Sequence, residues 1–528
     1  MSNIKKYKVK LRKPDFSTPK KFSLKPILTT ILLMILQIIL IALVFIYLDE
    51  YLAAFGFILS IITFMLVVYI VTSPEKSGYK IAWILPIVVT PVFGLMLYAI
   101  IKIFPGTKNL SLRTEELMKH SSEHFPQNEE LINEFDTVDE NYSDLCKMLY
   151  SSGRYPLYKN IPCEYYSPGE VAFEEMKKHL RLAKEYIFIE FFIIKQGKML
   201  AETLDILAEK AKEGLEVRFI FDGSNLINLP WDYDKFISKY GIKAKIFSKP
   251  TPILSSYQNN RDHRKIVVID GRVAFTGGIN LADEYINEVV RFGHWKDCAI
   301  KVEGEAVKTF VGTFLQMWNF DEKFNIKNDC DKFLSKEFTT VTKSDVKNFV
   351  VPYADYPDNY DNPGEAVYMH ILYYAKKYVY IMSPYLVIDD DFLLAMKFAA
   401  KRGVKVRLII PGIPDKKIPY SVAQSFLPDL IRSGVEVYIY APGFVHSKIF
   451  ISDDTVATVG TVNLDYRSMY LHFENGVLAY DKKLTADIKA DFESTLESCI
   501  KVYEEYYILE PFYKKFLGKV MRIFGPIM

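Results

Sequence analysis

Apolar and polar positions are arranged in two different ways along this chain. Over the first hundred residues the apolar positions form long unbroken runs, at 27–48, about 53–71 and 81–104. They are separated only by Asp49-Glu50 and by the polar turn Ser73-Pro74-Glu75-Lys76-Ser77-Gly78. A run of roughly 20 apolar residues spans a bilayer as a helix, so this region, 27–104, predicts N-terminal transmembrane helices. The first run is too long for the core of a signal peptide and no small-residue cleavage site follows it. Pro86, Pro91 and Gly94 sit inside the third run, which predicts either a kink or a hairpin that re-enters rather than crosses. Ahead of all three, residues 1–26 carry nine Lys and Arg against a single acid, Asp15, the charge bias of a cytoplasmic tail. Three crossings would leave the rest of the chain outside the cell. Two crossings and a re-entrant hairpin would leave it in the cytoplasm.

After residue 104 the pattern changes. Residues 105–160 are polar and rich in Glu, Asn and Ser, and read as a helical connector near the membrane surface. From 161 onward short apolar runs alternate with amphipathic helical stretches, which predicts an α/β fold. This part also repeats itself. Pro168-Gly169-Glu170 opens a helix ahead of an apolar strand at 186–194, and Pro363-Gly364-Glu365 does the same ahead of 378–386. Gly214 precedes a strand at 216–221 and Gly403 one at 405–410; Gly241 precedes 243–247 and Gly434 precedes 436–440. The offsets are 189 for Gly214→Gly403 and 193 for Gly241→Gly434. Such spacing predicts two similar lobes, 161–325 and 351–505, joined by a linker at 326–350 and related by a pseudo-twofold axis. The closing stretch, 506–528, holds Phe512, Tyr513, Phe516 and Phe524 with four Lys and Arg. That composition suits an amphipathic segment on a membrane surface or a helix packed against the lobes.

Composition narrows the function. Half of the 528 residues are hydrophobic and the net charge is +2, which argues against a general polyanion binder and leaves no nucleic-acid partner expected. The five cysteines are scattered with no CxxC pair, so neither a disulfide framework nor a zinc site is predicted, and the eight histidines show no metal spacing. His120 and His124 are four apart but lack the HExxH pattern.

Each lobe ends in the same constellation. The first reads His263-Arg264-Lys265, Asp270, Gly277-Gly278-Ile279-Asn280, and the second His446-Ser447-Lys448, Asp453, Gly460-Thr461-Val462-Asn463, with identical spacing. A gap of two inside Ile/Val-rich sequence places His and Lys on one face of a strand. Two histidines can serve as nucleophile and general acid, two lysines can neutralise a phosphodiester and the charge of its transition state, and two asparagines add neutral donors. One HxK is an accident of a surface strand; two in register within a repeat are not.

These motifs resemble the paired HKD motifs of the phospholipase D superfamily, over about residues 160–505. The resemblance implies a covalent phosphohistidine at His263, with His446 as acid and base, and Lys265, Lys448, Asn280 and Asn463 holding the phosphate. It implies a supporting part in that catalytic set for Asp270 and Asp453. It also implies that Asp297 and Glu474 orient the imidazoles, and a buried carboxylate there would raise the histidine pKa. His294 and His472 are expected to be bystanders. Within the superfamily, the segment from Tyr79 through Pro86 and Gly94 to Tyr98, Ile189-Glu190-Phe191-Phe192-Ile193, Ser383-Pro384-Tyr385, and the run from Gly277 to Tyr285 followed by Trp295-Lys296-Asp297 are similar to the bacterial cardiolipin synthases. That family implies a multi-pass cell-membrane enzyme with no cofactor. It moves a phosphatidyl group between two phosphatidylglycerol molecules and yields cardiolipin and glycerol. A membrane-bound phospholipase D, hydrolysing phospholipid to phosphatidic acid, would carry the same residues. The first apolar run, 27–48, is an addition to the two membrane segments of many members.

Overall fold

The computed structural model describes residues 52–103, 107–250, 259–321, 326–335, 346–357, 359, 361–504 and 511–527, with Leu32, Ile35 and Ile39 as isolated helical positions ahead of them. The basic tail and most of the first apolar run lie outside the described residues.

Two sheets carry the repeat. One has seven strands and the other nine. Six strands follow the same order in both. In the first lobe the order is Ala299–Glu303, Val273–Gly277, Lys265–Ile269, Tyr186–Phe191, Glu216–Asp222, Lys243–Phe247. In the second it is Glu474–Tyr480, Val456–Gly460, Ile449–Ser452, Tyr378–Met382, Lys405–Pro411, Glu436–Tyr440. The last three strands of each set run parallel, with helical crossovers, and the first three antiparallel. The fold is therefore α/β with two similar lobes.

The sheets bury their inner faces in one shared core, where Phe188, Phe314 and Val302 meet Ile449, Val459 and Val477. The helix Val307–Trp318 is buried along its whole length within it. Each sheet covers its outer face with its own helices. The connector contributes more than expected: its helices Glu129–Val138 and Glu140–Gly153 place Ile132, Phe135 and Leu149 in the second lobe's core. Its strand Tyr158–Lys159 joins the nine-stranded sheet. Polar outer faces hid that inner stripe from a reading by composition. Four of the five cysteines are buried free thiols and Cys499 is half-buried.

Asp270 and Asp453 work at the far end of the motif strands from the histidines. Both sit in left-handed turns, with φ of 53° and 55°. Asp270 accepts the backbone N–H groups of Lys184, Glu185 and Tyr186, and Asp453 accepts those of Lys376, Lys377 and Tyr378. Each thus tethers the start of the strand that pairs antiparallel with the motif strand, and neither reaches the imidazoles.

At the N-terminal side, helix α1 (Leu52–Thr72) contains the one candidate span among the described residues, Ala54–Thr72. The third apolar run is a helical hairpin, α2 (Ser77–Val89) and α3 (Pro91–Ile103). Gly94 permits the close approach of the two arms, since a Cβ there would lie 2.5 Å from the Ile87 Cα. The base of the hairpin is tied to the second lobe. Lys76 Nζ lies 3.1 Å from Glu365 and 3.4 Å from Asp389, and Tyr79 packs edge-on against Tyr466 and Tyr470. The C-terminal helix Phe512–Ile523 packs on Lys417–Arg432, with Arg522 over the Phe426 ring at 3.9 Å. Its Phe512, Tyr513 and Phe516 remain exposed.

Replacing Asp270 or Asp453 by Ala strands three backbone donors at a strand start. Thermal denaturation should show a loss of about 1–3 kcal/mol for each, with residual activity scaling with the folded fraction. A variant of full stability and no activity would contradict this tethering role.

Candidate active site

The two HxK segments meet at the lobe interface through a reciprocal backbone exchange. The N–H of His263 donates to the carbonyl of Phe473 at 2.9 Å, and that of His446 to the carbonyl of Lys296 at 2.7 Å. Phe473 and Lys296 immediately precede Glu474 and Asp297. A short parallel pairing of Gly443–Val445 with His294–Lys296 fixes this register across the interface. The acid of each lobe therefore reaches the histidine of the other. His263 Nδ1 lies 2.8 Å from Glu474 Oε2, and His446 Nδ1 lies 2.8 Å from Asp297 Oδ2. Spacing within each lobe carries no sign of this crossing, because it depends on how the two repeats face each other.

Around the imidazoles the set is closely packed and buried. Lys265 and Lys448 each donate to the carbonyl of their own motif histidine, and Lys448 Nζ lies 2.9 Å from His446 Nδ1. Both histidines are 6% exposed. Asn280 uses its amide within the first lobe: Oδ1 accepts the Ile193 N–H at 2.9 Å and Nδ2 donates to the Tyr285 hydroxyl at 2.7 Å. Asn463 Oδ1 is buried with no partner among the described residues. The structure thus gathers His263, Lys265, Asn280, Asp297, His446, Lys448 and Glu474 at the interface, leaves Asp270 and Asp453 outside it, and buries Asn463 at the end of the second motif.

The two acids are held differently. Asp297 accepts three N–H groups, from His446, from the Cys298 backbone at 2.9 Å and from Trp295 Nε1 at 3.3 Å. Gly278 leaves room for this, since a Cβ at that position would lie 2.0 Å from Asp297 Oδ1. In the second motif Thr461 occupies the equivalent place and its hydroxyl donates to Glu474 Oε2. Burial works against ionising Asp297, yet His446 and its other donors hold its pKa below the usual carboxylate range. Burial pushes the pKa of Glu474 well up, although Lys265 and the hydroxyls of Thr461 and Ser468 act to lower it.

The expected rise in histidine pKa is reversed. Burial first, then repulsion from Lys448, lowers His446 to about 4 despite Asp297. Burial, Lys265 and neighbouring imidazoles hold His263 well below the usual imidazole range. Burial also lowers Lys265 to about 7 and Lys448 to about 8. Cationic groups this crowded are short of negative charge, which a bound phosphodiester would supply.

His472 is no bystander. Its buried ring packs 5.6 Å from that of His263 and 6.4 Å from Phe192. With His263 and Glu474 it places three donor atoms within 4.8 Å of one another. The same space is faced by two lysine ammonium groups, and Glu474 already accepts from His263 and Thr461. This fits a hydrogen-bond network better than a cation site. The sequence signal for His472 was its position two residues before Glu474, matching Trp295 two before Asp297. His294 does stay outside, with Nδ1 2.9 Å from the Tyr440 hydroxyl.

A family model described as cardiolipin synthase, PLD-like domain matches residues 176–318 and 368–496, one segment in each lobe. The chain belongs to this family. A second model, phospholipase D-nuclease N-terminal, matches 58–102, the region of α1 to α3. A cardiolipin synthase of Alkalihalophilus pseudofirmus is 34% identical over 73% of this chain and 76% of its own length. Cardiolipin synthase 1 of Staphylococcus aureus is 30% identical over 90% of this chain and 97% of its own. An uncharacterized protein of Streptococcus mutans is 42% identical over 88% of this chain and 99% of its own. The crystal structure of a phosphatidylserine synthase from Haemophilus influenzae shares the fold, with a TM-score of 0.55, 16% identity, and cover of 72% of this chain and 97% of that one.

Asp297→Asn should disturb His446, not the histidine of its own lobe. Histidine ¹⁵N spectra of the detergent-solubilised protein should show the His446 Nδ1 resonance moving while His263 keeps its own; the opposite pattern contradicts the crossed pairing.

Proposed function

We propose that this protein is a cardiolipin synthase: it transfers a phosphatidyl group from one phosphatidylglycerol to the terminal hydroxyl of a second, yielding cardiolipin and glycerol. Carrying this is the pair of crossed imidazole–carboxylate contacts, which brings two histidines and two buried lysines to one lobe interface.

The donor's phosphodiester lies between the imidazoles, its charge balanced by Lys265 and Lys448 with Asn280 and Asn463 as neutral donors. His263 Nε2 attacks phosphorus while the bond to the glycerol oxygen breaks, and His446 gives that oxygen its proton. The hydroxyl of the second lipid then gives its proton to His446 and attacks phosphorus, and the P–N bond breaks. The three N–H groups on Asp297 support His446 as the proton carrier, because a fully charged carboxylate stabilises an imidazolium. Glu474, with less charge at rest, suits the histidine that must start neutral. One phosphodiester replaces another, so no nucleotide is consumed. The buried site, closed to bulk water, favours a lipid alcohol over hydrolysis.

The membrane arrangement we infer has two crossings and one re-entrant hairpin. Each arm of the hairpin has 13 residues, about 20 Å of helix against roughly 30 Å of hydrocarbon. Contacts of Lys76 and Tyr79 with the second lobe put the end of α1 on the side of the lobes. With the run at 27–48 as the other crossing, the basic tail and the lobes share the cytoplasmic face.

In a cardiolipin-free bacterial membrane, the wild type should produce cardiolipin and free glycerol, whereas His263→Ala and His446→Ala should each reduce turnover by at least about 10³-fold. Phosphatidic acid as the main product would instead make the protein a hydrolase. A fluorescent-protein fusion at the C-terminus should fluoresce and an alkaline phosphatase fusion there should be inactive; the reverse would place the lobes outside.

A further inference from the structure

The two halves of the site differ at one equivalent position. Trp295 and His472 each stand two residues before their lobe's acid, and each ring packs on the histidine that acid holds, Trp295 at 5.3 Å from His446 and His472 at 5.6 Å from His263. The indole N–H donates to Asp297 Oδ2 at 3.3 Å. In the other half the matching contact is open: His472 Nδ1 stops 3.8 Å from Glu474 Oε1. Both ring nitrogens of His472 are buried with no hydrogen-bond partner among the described residues, while that carboxylate oxygen lies 2.8 Å from His263 Nδ1. Buried polar groups left unpaired are costly. An unpaired buried ring nitrogen this close to a carboxylate oxygen marks a bond that forms in another state of the site.

The reaction supplies that state. Once phosphorus is bonded to His263 Nε2, the ring is cationic and keeps its Nδ1–H, so Glu474 must carry a full negative charge in a buried place. At rest it has the Thr461 hydroxyl and His263 as donors, with the Ser468 hydroxyl also acting on it, but it lacks the ring N–H from two residues ahead that Trp295 gives Asp297. We propose that His472 is a positioning residue for His263: its Nδ1–H closes onto Glu474 Oε1 as the phosphohistidine forms, supplying on demand the bond that Trp295 makes permanently in the other half. No proton changes hands in this step. The inference rests on His263 as the residue phosphorylated in the proposed function.

The surroundings keep His472 neutral. Burial lowers its pKa first, and Arg467 on the helix Tyr466–Tyr470, Lys265 on the motif strand, Arg261 ahead of His263 and Lys416 ahead of the helix Lys417–Arg432 all repel a proton there as well. Glu474 and His263 are the other titratable neighbours. His472 therefore acts as a neutral N–H donor, and its loss moves the rate without creating a new titration.

The test compares His472→Gln, which keeps an N–H donor, with His472→Phe, which keeps the ring and loses the donor. His472→Asn and His472→Leu repeat the comparison should the Phe variant not fold. Turnover of the full-length protein in phosphatidylglycerol vesicles is followed together with ³²P trapped on the enzyme by alkaline quench. The donor-less variants should lose about 10–100-fold in kcat with little change in KM and trap less label per enzyme, while the amide variants recover most of both. Equal activity, or equal impairment, of donor and donor-less variants overturns the proposal while leaving the parent reading intact. A wild type that transfers phosphatidyl groups but carries no label on His263 removes the parent reading instead.

Discussion

Two buried contacts between the lobes, His263 with Glu474 and His446 with Asp297, organise everything else in this protein. Neither lobe can orient its own histidine. Each depends on a carboxylate from the other, delivered by a backbone exchange in which His263 and His446 donate to the carbonyls just ahead of those acids. Such a pairing demands that the two sheets pack in one register. The shared core, the Gly443–Val445 pairing with His294–Lys296 and the Asn475 amide on the Thr276 hydroxyl at 2.8 Å all serve that demand. Duplication thereby supplies a site that no single copy contains.

The electrostatics follow from the same burial. Three imidazoles, two lysines and two carboxylates sit together in a buried place, and the histidines and lysines lose more from desolvation than they gain from the acids. An anionic lipid phosphate restores the balance, so binding and the protonation pattern needed for catalysis are coupled. The symmetry is broken just where the chemistry is asymmetric. Gly278 leaves room for Asp297 and Trp295 donates to it, while in the other half Thr461 donates a hydroxyl to Glu474 and His472 stops 3.8 Å short of it. A nucleophile and a proton carrier require different charge states, and these substitutions between repeats provide them.

Much of this was legible before any coordinates. Glycines at a constant offset marked the repeat, because each ends a helix or turn that the fold needs twice, and the HxK spacing placed His and Lys together through the two-residue period of a strand. What spacing could not carry was anything dependent on how the repeats face each other. The crossed acid pairing is one case. The presence of His472 at the site is another, visible only through its equivalence to Trp295. Charge state was missed for a related reason: a carboxylate beside a histidine raises its pKa in water, but here desolvation and two lysines outweigh it. The connector misled because its exposed residues outnumber the stripe of Ile132, Phe135 and Leu149 that it buries.

The claim that the lobes act on one phosphodiester is tested most directly by an experimental structure with vanadate bound. Nε2 of His263 and Nε2 of His446 should stand at opposite apices of a single vanadium, with Lys265 and Lys448 on its equatorial oxygens. Vanadate held by one lobe alone, with the second imidazole out of reach, would contradict the account.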